Sequence, residues 1–223
     1  MTLTSGNWQV NMISTTNLGA VGSGGMSLSQ TGTSVSGIMH LVSPPCFTPL
    51  SGINVNATVN GPTLQLTAST ATGQTISVTA TGSATSLTGS YTLGGTNCPQ
   101  DQGAFTAILV PSATGSWHGT LTSTAGGPAT QVTAMLTQSG PDAQGFFSVS
   151  GTVTLSGSCL SSGTVGGLAI GAGYALIVTP PSGEPVAISG AMTDPATANA
   201  FSGFYSSIAS TCTDSGTASL TRP

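Results

Sequence analysis

The sequence predicts an all-β chain: two tandem antiparallel eight-stranded meander barrels, with two β-sandwiches as the alternative arrangement of the same strands. Three observations lead there. The chain is written twice. Within each copy, Val, Ile, Leu, Thr and aromatic residues alternate with polar ones, and Gly, Pro, Asn or Asp break the runs about every 8–12 residues. No stretch carries a sustained helical period with a cap.

The duplication is read residue by residue. Gly6-Asn7-Trp8 returns as Gly115-Ser116-Trp117, and Leu28-Ser29-Gln30 as Leu136-Thr137-Gln138. Val35-Ser36-Gly37 answers Val149-Ser150-Gly151, Ser51-Gly52 answers Ser162-Gly163, and Gly89-Ser90-Tyr91 answers Gly203-Phe204-Tyr205. Cys46 and Cys98 answer Cys159 and Cys212. The copies meet near Pro111, so residues 1–111 and 112–223 are expected as two domains of roughly 110 residues, near the commonest domain size.

In the first copy a strand is expected over residues 6–13, with Trp8, Val10 and Met12 on one face. Met26, Leu28 and Gln30 follow after a Gly/Ser-rich turn, then Val35, Gly37, Met39 and Leu41. Pro44-Pro45 ends that strand, because proline cannot donate to a ladder. Strands over 53–59 and 63–70 flank the turn Asn60-Gly61-Pro62. Ile76, Val78 and Ala80 come next, then Leu87, Gly89, Tyr91 and Leu93, and finally Phe105, Ala107 and Leu109. The second copy keeps these phases through Trp117 and Leu121; Val132 to Gln138; Val149 to Leu155; Leu176 and Val178; Val186 and Ile188; Phe201 to Tyr205; and Ala218 and Leu220. An insertion, Gly140–Phe147, is expected to lengthen one turn and place Phe146 and Phe147 on a loop, either as a contact patch or tucked onto its own barrel.

Composition excludes several roles. Charged residues make up 3 % of the 223 residues, against about 25 % in an average soluble domain. There is no lysine, and the one Lys/Arg residue is Arg222. A phosphate backbone needs several basic side chains to displace its counterions, so nucleic acid is excluded as a partner, and electrostatic docking on anionic membranes with it. The net charge of −4 is small, and the mean hydropathy is positive. The chain therefore folds, with a surface wetted by Ser, Thr, Asn, Gln and backbone. Little charge repulsion keeps copies apart, so the chain itself, as a homo-oligomer or filament, is an expected partner beside a surface ligand.

The longest apolar-plus-glycine run, 165–178, is too short to span a bilayer. Met1 to Ser5 lacks the pattern of a secretory signal, yet the composition reads as exported. A leader or a lipid-anchored spacer upstream, and an extracellular or cell-surface location in a bacterium, are the expectations.

Four cysteines allow three pairings. If each copy folds alone, the duplicated pairing is Cys46–Cys98 and Cys159–Cys212. Closing such a loop stabilises a unit by about 4 kcal/mol on a chain-entropy account. Zinc is the rival reading, but it wants close Cys-x-x-Cys or Cys/His spacing, which the sequence lacks. Disulfides imply an oxidising compartment. No metal and no cofactor are expected.

Gly-x-Trp on the first strand resembles the first strand of the calycins, the lipocalin and avidin group, and Leu87-Thr88-Gly89-Ser90-Tyr91 resembles an avidin-type strand. The whole composition is similar to that of Ser/Thr/Gly-rich exported bacterial proteins, often lipoproteins. The first resemblance implies barrels and the second implies location; neither implies an activity, and no biotin-contacting set carries over.

Candidate chemistry is sparse. His40 and His118 fall in the outward phase and lack an orienting partner. No serine is framed as Gly-x-Ser-x-Gly. Asp101 and Asp214 occupy matching positions two residues before a glycine, which suits an Asx-type turn beside each disulfide; one carboxylate per copy is thin for calcium. Trp8 with Tyr91, and Trp117 with Tyr205, share the inner phase. They pack the core or, with Gln30 and Gln138, line a lumen for a small apolar ligand. Small inner residues (Gly37, Ala80, Gly89, Ala134, Gly151, Gly203) leave room for either. Asn56-Ala57-Thr58 is a glycosylation sequon. These features lead to the expectation of a non-enzymatic structural or adhesive surface protein, with a binding module for a small hydrophobic or sugar ligand in each barrel as the alternative.

Overall fold

A computed structural model describes the chain apart from residues 18–20, 43–51, 97–99, 158, 183, 209–211 and 223. Sixteen strands follow one another. The first eight are β1 (Gly6–Ser14), β2 (Val21–Thr31), β3 (Ser34–Val42), β4 (Ile53–Asn60), β5 (Thr63–Ser69), β6 (Gln74–Gly82), β7 (Ser86–Gly95) and β8 (Asp101–Val110). The second eight are β9 (Gly115–Ser123), β10 (Thr130–Pro141), β11 (Phe147–Ser156), β12 (Gly163–Ile170), β13 (Gly173–Thr179), β14 (Val186–Met192), β15 (Ala200–Ile208) and β16 (Thr213–Thr221). Each set closes into an antiparallel barrel, so the sandwich alternative is not what forms. Closure is direct: β1 pairs with both β2 and β8, setting Trp8 opposite Met26 and Leu109. In the second barrel β9 pairs with β10 and β16. Closure removes the open edges that would otherwise template pairing with other chains. The chain divides into two compact units, Met1–Val110 with Gly140–Phe147, and Pro111–Ser139 with Ser148–Pro223.

Strict alternation decides what fills each barrel. On β4 the burial pattern alternates without a break from Ile53 to Asn60. In the first barrel Trp8, Met12, Met26, Met39, Leu64, Ile76 and Phe105 are sealed from solvent. In the second, the enclosed space bounded by Trp117, Leu136, Tyr174, Met192, Phe201 and Leu220 is only about 20 Å³. That is enough for one water and no more.

The inner glycines do not open a lumen. A Cβ on Gly37 would stand 2.0 Å from the Ser27 carbonyl oxygen, and one on Gly151 2.0 Å from that of Met135. On Gly89 it would stand 2.0 Å from the Thr79 oxygen, and on Gly203 2.1 Å from that of Ser189. These are places where neighbouring strands press together as the wall bends, a known use of glycine within strands. Of the two readings of these glycines, a slim core or a cavity, the close approach of the strands favours the slim core.

The insertion behaves differently from its expectation. Asp142 Oδ1 accepts hydrogen bonds from the Gln144 and Phe146 amides, both at 2.9 Å, and closes a tight turn. Phe146 stays partly exposed, whereas Phe147 begins β11 in phase with Val149 and is fully buried. Because Phe147 is buried, the pair is not an exposed patch.

Gly203→Ala is expected to lower the unfolding free energy by about 3 kcal/mol, in the range of substitutions that force backbone apart. Gly166→Ala, on the outer face of β12 with nothing within 4 Å of the added carbon, should be neutral or stabilising by about 0.5 kcal/mol. Urea titrations of the two variants check the contrast.

Candidate functional site

Each barrel has two differently built ends. Trp8 and Ser14 lie six residues apart on β1, about 20 Å along the strand, and each anchors one end.

At the first end the chain segment before the barrel folds under it. The Trp8 indole N–H donates to the Thr4 carbonyl at 3.1 Å. Gln30 Oε1 accepts from the Leu3 amide at 2.7 Å, and Gln30 Nε2 donates to the Gly32 carbonyl at 2.8 Å. The second barrel repeats this: Trp117 donates to the Ala113 carbonyl at 2.8 Å, and Gln138 Oε1 accepts from the Ala113 amide at 2.8 Å. Arg222 adds a lid, donating to the Thr114 carbonyl at 2.7 Å with its guanidinium 5.2 Å from the centre of the Trp117 ring, close enough for a cation–π attraction. Gln138 Nε2 is buried and has no partner. Gln30 is thus consumed in plugging the barrel floor, and Gln138 through its oxygen alone.

At the other end lies a cluster that the sequence reading missed. The Ser14 hydroxyl donates to Asp101 Oδ1 at 2.5 Å, and the Tyr91 hydroxyl donates to Asp101 Oδ2 at 2.8 Å. In the second barrel Ser123 donates to Asp214 Oδ1 at 2.6 Å and Tyr205 to Asp214 Oδ2 at 2.7 Å. The serine comes from the first strand of the barrel, the aspartate from the last and the tyrosine from the one before it. Each cluster therefore pins the seam at which the sheet closes. A signal was present: Ser14 and Ser123 each stand six positions after the conserved-in-both-copies tryptophan. Trp8 and Tyr91, expected to share one lining, sit instead at opposite ends, as do Trp117 and Tyr205.

Burial alone would push the Asp101 carboxyl up. Hydrogen bonds from Ser14, Tyr91, the Gln102 amide and Thr16 together outweigh it and hold the carboxyl below its usual range. Asp214 is held low in the same way by Ser123, Tyr205 and the Ser215 amide; the residue matching Thr16 is Ala125. Burial, then the bond to the neighbouring carboxylate and its charge, pushes both Tyr91 and Tyr205 up to about 12. Both tyrosines are protonated donors at neutral pH, and both aspartates are satisfied anions. The arrangement supplies no activated nucleophile.

Beside the first cluster a cavity of about 430 Å³ opens at the outer rim of the barrel mouth, lined by Thr16, the outward-facing Thr75, Thr92 and Gln102, Gln100 and Asp101, with Leu93 and Gly94 between them. Its size suits a small molecule. In the second barrel the matching positions are Ala125, Pro185, Ser206, Thr213, Asp214 and Ser215, which lack both glutamine amides.

The remaining candidates fall elsewhere. His118 is exposed on β9. His40 lies in the outward phase of β3 but is half-buried, and its Nδ1 is buried without a partner. Cys159 and Cys212 are bonded to each other, their Cα atoms 5.7 Å apart; Cys46 and Cys98 lie outside the described residues. Among the described residues no three His, Cys, Asp or Glu side chains gather as a metal site, and no helix is long and apolar enough to cross a membrane.

No known family matches the chain, and no curated protein matches it. Among solved structures, kievitone hydratase from Nectria haematococca aligns over 97 % of this chain and 88 % of its own, at 12 % identity and a TM-score of 0.24. A protein provisionally described as AttH, from Nitrosomonas europaea, aligns over 96 % of this chain and 91 % of its own, at 12 % identity and a TM-score of 0.24. Likenesses this slight assign no activity. With an enzyme among the matches, the expectation of a non-enzymatic structural or adhesive protein is nevertheless withdrawn.

The seam clusters make stability depend on pH at both extremes. The aspartate pKa values are lower in the folded state, so their contribution is present above about pH 4 and is lost as pH falls through the folded values. The tyrosine values are higher in the folded state, so theirs is present below about pH 10 and is lost as pH rises toward 12. The urea midpoint of the protein is expected to be flat between these limits and to fall on either side. Tyr91→Phe with Tyr205→Phe should flatten the alkaline limb.

Proposed function

We propose that the chain is a binding module that takes a small, uncharged, hydroxyl-rich molecule, a sugar or polyol, at the mouth of its first barrel. The observation that carries this reading is the mouth cavity of about 430 Å³, whose lining is chiefly hydroxyls and amides. Thr16, Thr75 and Thr92 offer hydroxyls that donate or accept, and Gln100 and Gln102 offer both functions of an amide. Asp101 stands behind them as a fixed negative charge, and no basic residue borders the cavity. A neutral polyol meets that environment without penalty, whereas an anion would be repelled. The site is the mouth and not the lumen, because Trp8, Met26, Met39, Leu64, Ile76 and Phe105 pack the interior of the first barrel and are sealed from solvent. In this reading the chain is a tandem of calycin-type barrels. The bond between Cys159 and Cys212 supports an oxidising compartment outside the cytoplasm.

Calorimetry and ligand-observed NMR with mono- and disaccharides, set beside small apolar ligands, test the reading. Binding of a saccharide with a dissociation constant in roughly the micromolar-to-millimolar range is expected. Thr92→Val with Gln102→Ala should weaken it at least about tenfold, by removal of hydrogen bonds worth about 1 kcal/mol each. Equal binding by the variant, or binding of apolar ligands alone, defeats the proposal.

A further inference from the structure

The turn between β4 and β5 holds a reactive pair of residues. Of the eight asparagines in the sequence, Asn60 alone precedes a glycine. Asn60 ends β4 and pairs with Thr63 across the two-residue turn Gly61-Pro62. Its outward phase leaves it exposed, and Gly61 and Pro62 are exposed beside it. Gly61 stands at φ +58°, with nothing within 4 Å of where a Cβ would lie. Glycine supplies that conformation at the first central position of a hairpin turn. Among the described residues no group accepts a hydrogen bond from the Gly61 N–H.

The second barrel makes the same turn with a different residue in front of it. Ile170 pairs with Gly173 across Gly171-Ala172, and Gly171 stands at φ 56°. The turn therefore needs the glycine and not the asparagine. The other two asparagines of β4, Asn54 and Asn56, are also exposed. They precede Val55 and Ala57, whose amides lie inside a strand paired on both sides. Asn60 is thus the one asparagine of this strand whose following amide is both uncrowded and unbonded.

We infer that Asn60 is a site of spontaneous covalent modification, in which its side-chain amide is lost to attack by the backbone of Gly61. The Gly61 nitrogen attacks Asn60 Cγ. An N–Cγ bond forms, the Cγ–Nδ2 bond breaks, and Nδ2 leaves as ammonia with the proton given up by the Gly61 amide. Water then opens the resulting five-membered succinimide at one of its two carbonyls, to aspartate or to isoaspartate. Overall, one water enters and one ammonia leaves. Glycine permits the ring because it has no Cβ to crowd it, and asparagine is thermolabile for this chemistry. Fraying of the terminal Asn60–Thr63 pair supplies the backbone rotation that the attack requires, and ladder ends open at low free energy. The step needs the amide proton removed, so its rate rises with pH. Two consequences follow. The new carboxylate adds one negative charge and takes the formal net charge from −4 to −5. The isoaspartate product also adds a methylene to the backbone of a turn whose length sets Val59 opposite Leu64.

The test is incubation of the folded full chain in mildly alkaline buffer at physiological temperature, followed by ion-exchange chromatography and peptide mass spectrometry. A more acidic species should accumulate, faster as the pH is raised, with the amide-to-acid mass change placed at Asn60. An isoaspartyl methyltransferase should label part of it. Asn60 should convert at least about tenfold faster than Asn54 or Asn56, whose following residues carry a Cβ. Asn60→Ile, which installs the second barrel's own residue, should abolish the acidic species. If that variant does not fold, the mapping in the wild type decides alone. The same chain unfolded in urea gives the rate of the bare chemistry. A folded chain that does not convert at Asn60 overturns the inference, whatever the unfolded chain does. So does one that converts Asn54 or Asn56 as fast as Asn60, or an acidic species that persists in a folded Asn60→Ile.

Discussion

Closure of each eight-stranded sheet is the constraint on which the rest of the structure depends. A meander becomes a barrel only if its first and last strands meet, and here β1 meets β8 and β9 meets β16. The backbone ladder across that seam joins residues far apart in sequence, so the entropy of bringing them together must be recovered locally. A chain almost without charge has few ion pairs with which to do so. It uses a buried carboxylate instead, placed where strand ends converge and given enough donors to remain ionised. Ser14, Tyr91 and Asp101 in one barrel, and Ser123, Tyr205 and Asp214 in the other, are the same solution reached twice. The opposite end is held by neutral groups, an indole and a primary amide bound to the incoming chain.

Because these pins are common to both copies, they mark what the barrel requires, and the differences mark what it does not. Asp101 has a fourth donor in Thr16, whereas Asp214 faces Ala125 at that place. The first barrel surrounds its carboxylate with threonines and glutamines and leaves a cavity there; the second has lost the amides. The second exposes Leu168, Ile170, Ile177 and Phe204 where the first has Thr58, Asn60, Thr67 and Ser90. Duplication thus separates a shared scaffold from surface positions that have diverged.

The expectation of a purely structural surface protein rested on missing catalytic motifs and a hydroxyl-coated exterior. Neither observation bears on a site made of hydroxyls and amides, which has no motif to recognise. The groups that line the mouth are the residue types that make up most of the surface; what sets this cavity apart is the Asp101 carboxylate at its back. Gln30 and Gln138 are polar residues in the inner phase, yet their amide oxygens are spent on the barrel floor.

Much of the fold was legible in the residues. Alternation with a period of two, the repeated Gly-x-Trp and the turn at Asn60-Gly61-Pro62 identify strands, phases and doubling, because side chains on a pleated sheet must face alternate sides and each turn chemistry is local. The burial of Phe147 was not legible, since it depends on residues distant in sequence, Gly25 among them, that pack against its ring. Nor was the role of Gly203, which reads as an empty space in the pattern and proves to be a point of contact between strands. The sequence by itself determined the alternation of inward and outward positions along each strand. Tertiary structure alone decided that Ser14 reaches Asp101 and that Ser123 reaches Asp214. Those relations join residues on different strands, and only the register of a closed sheet sets their distances.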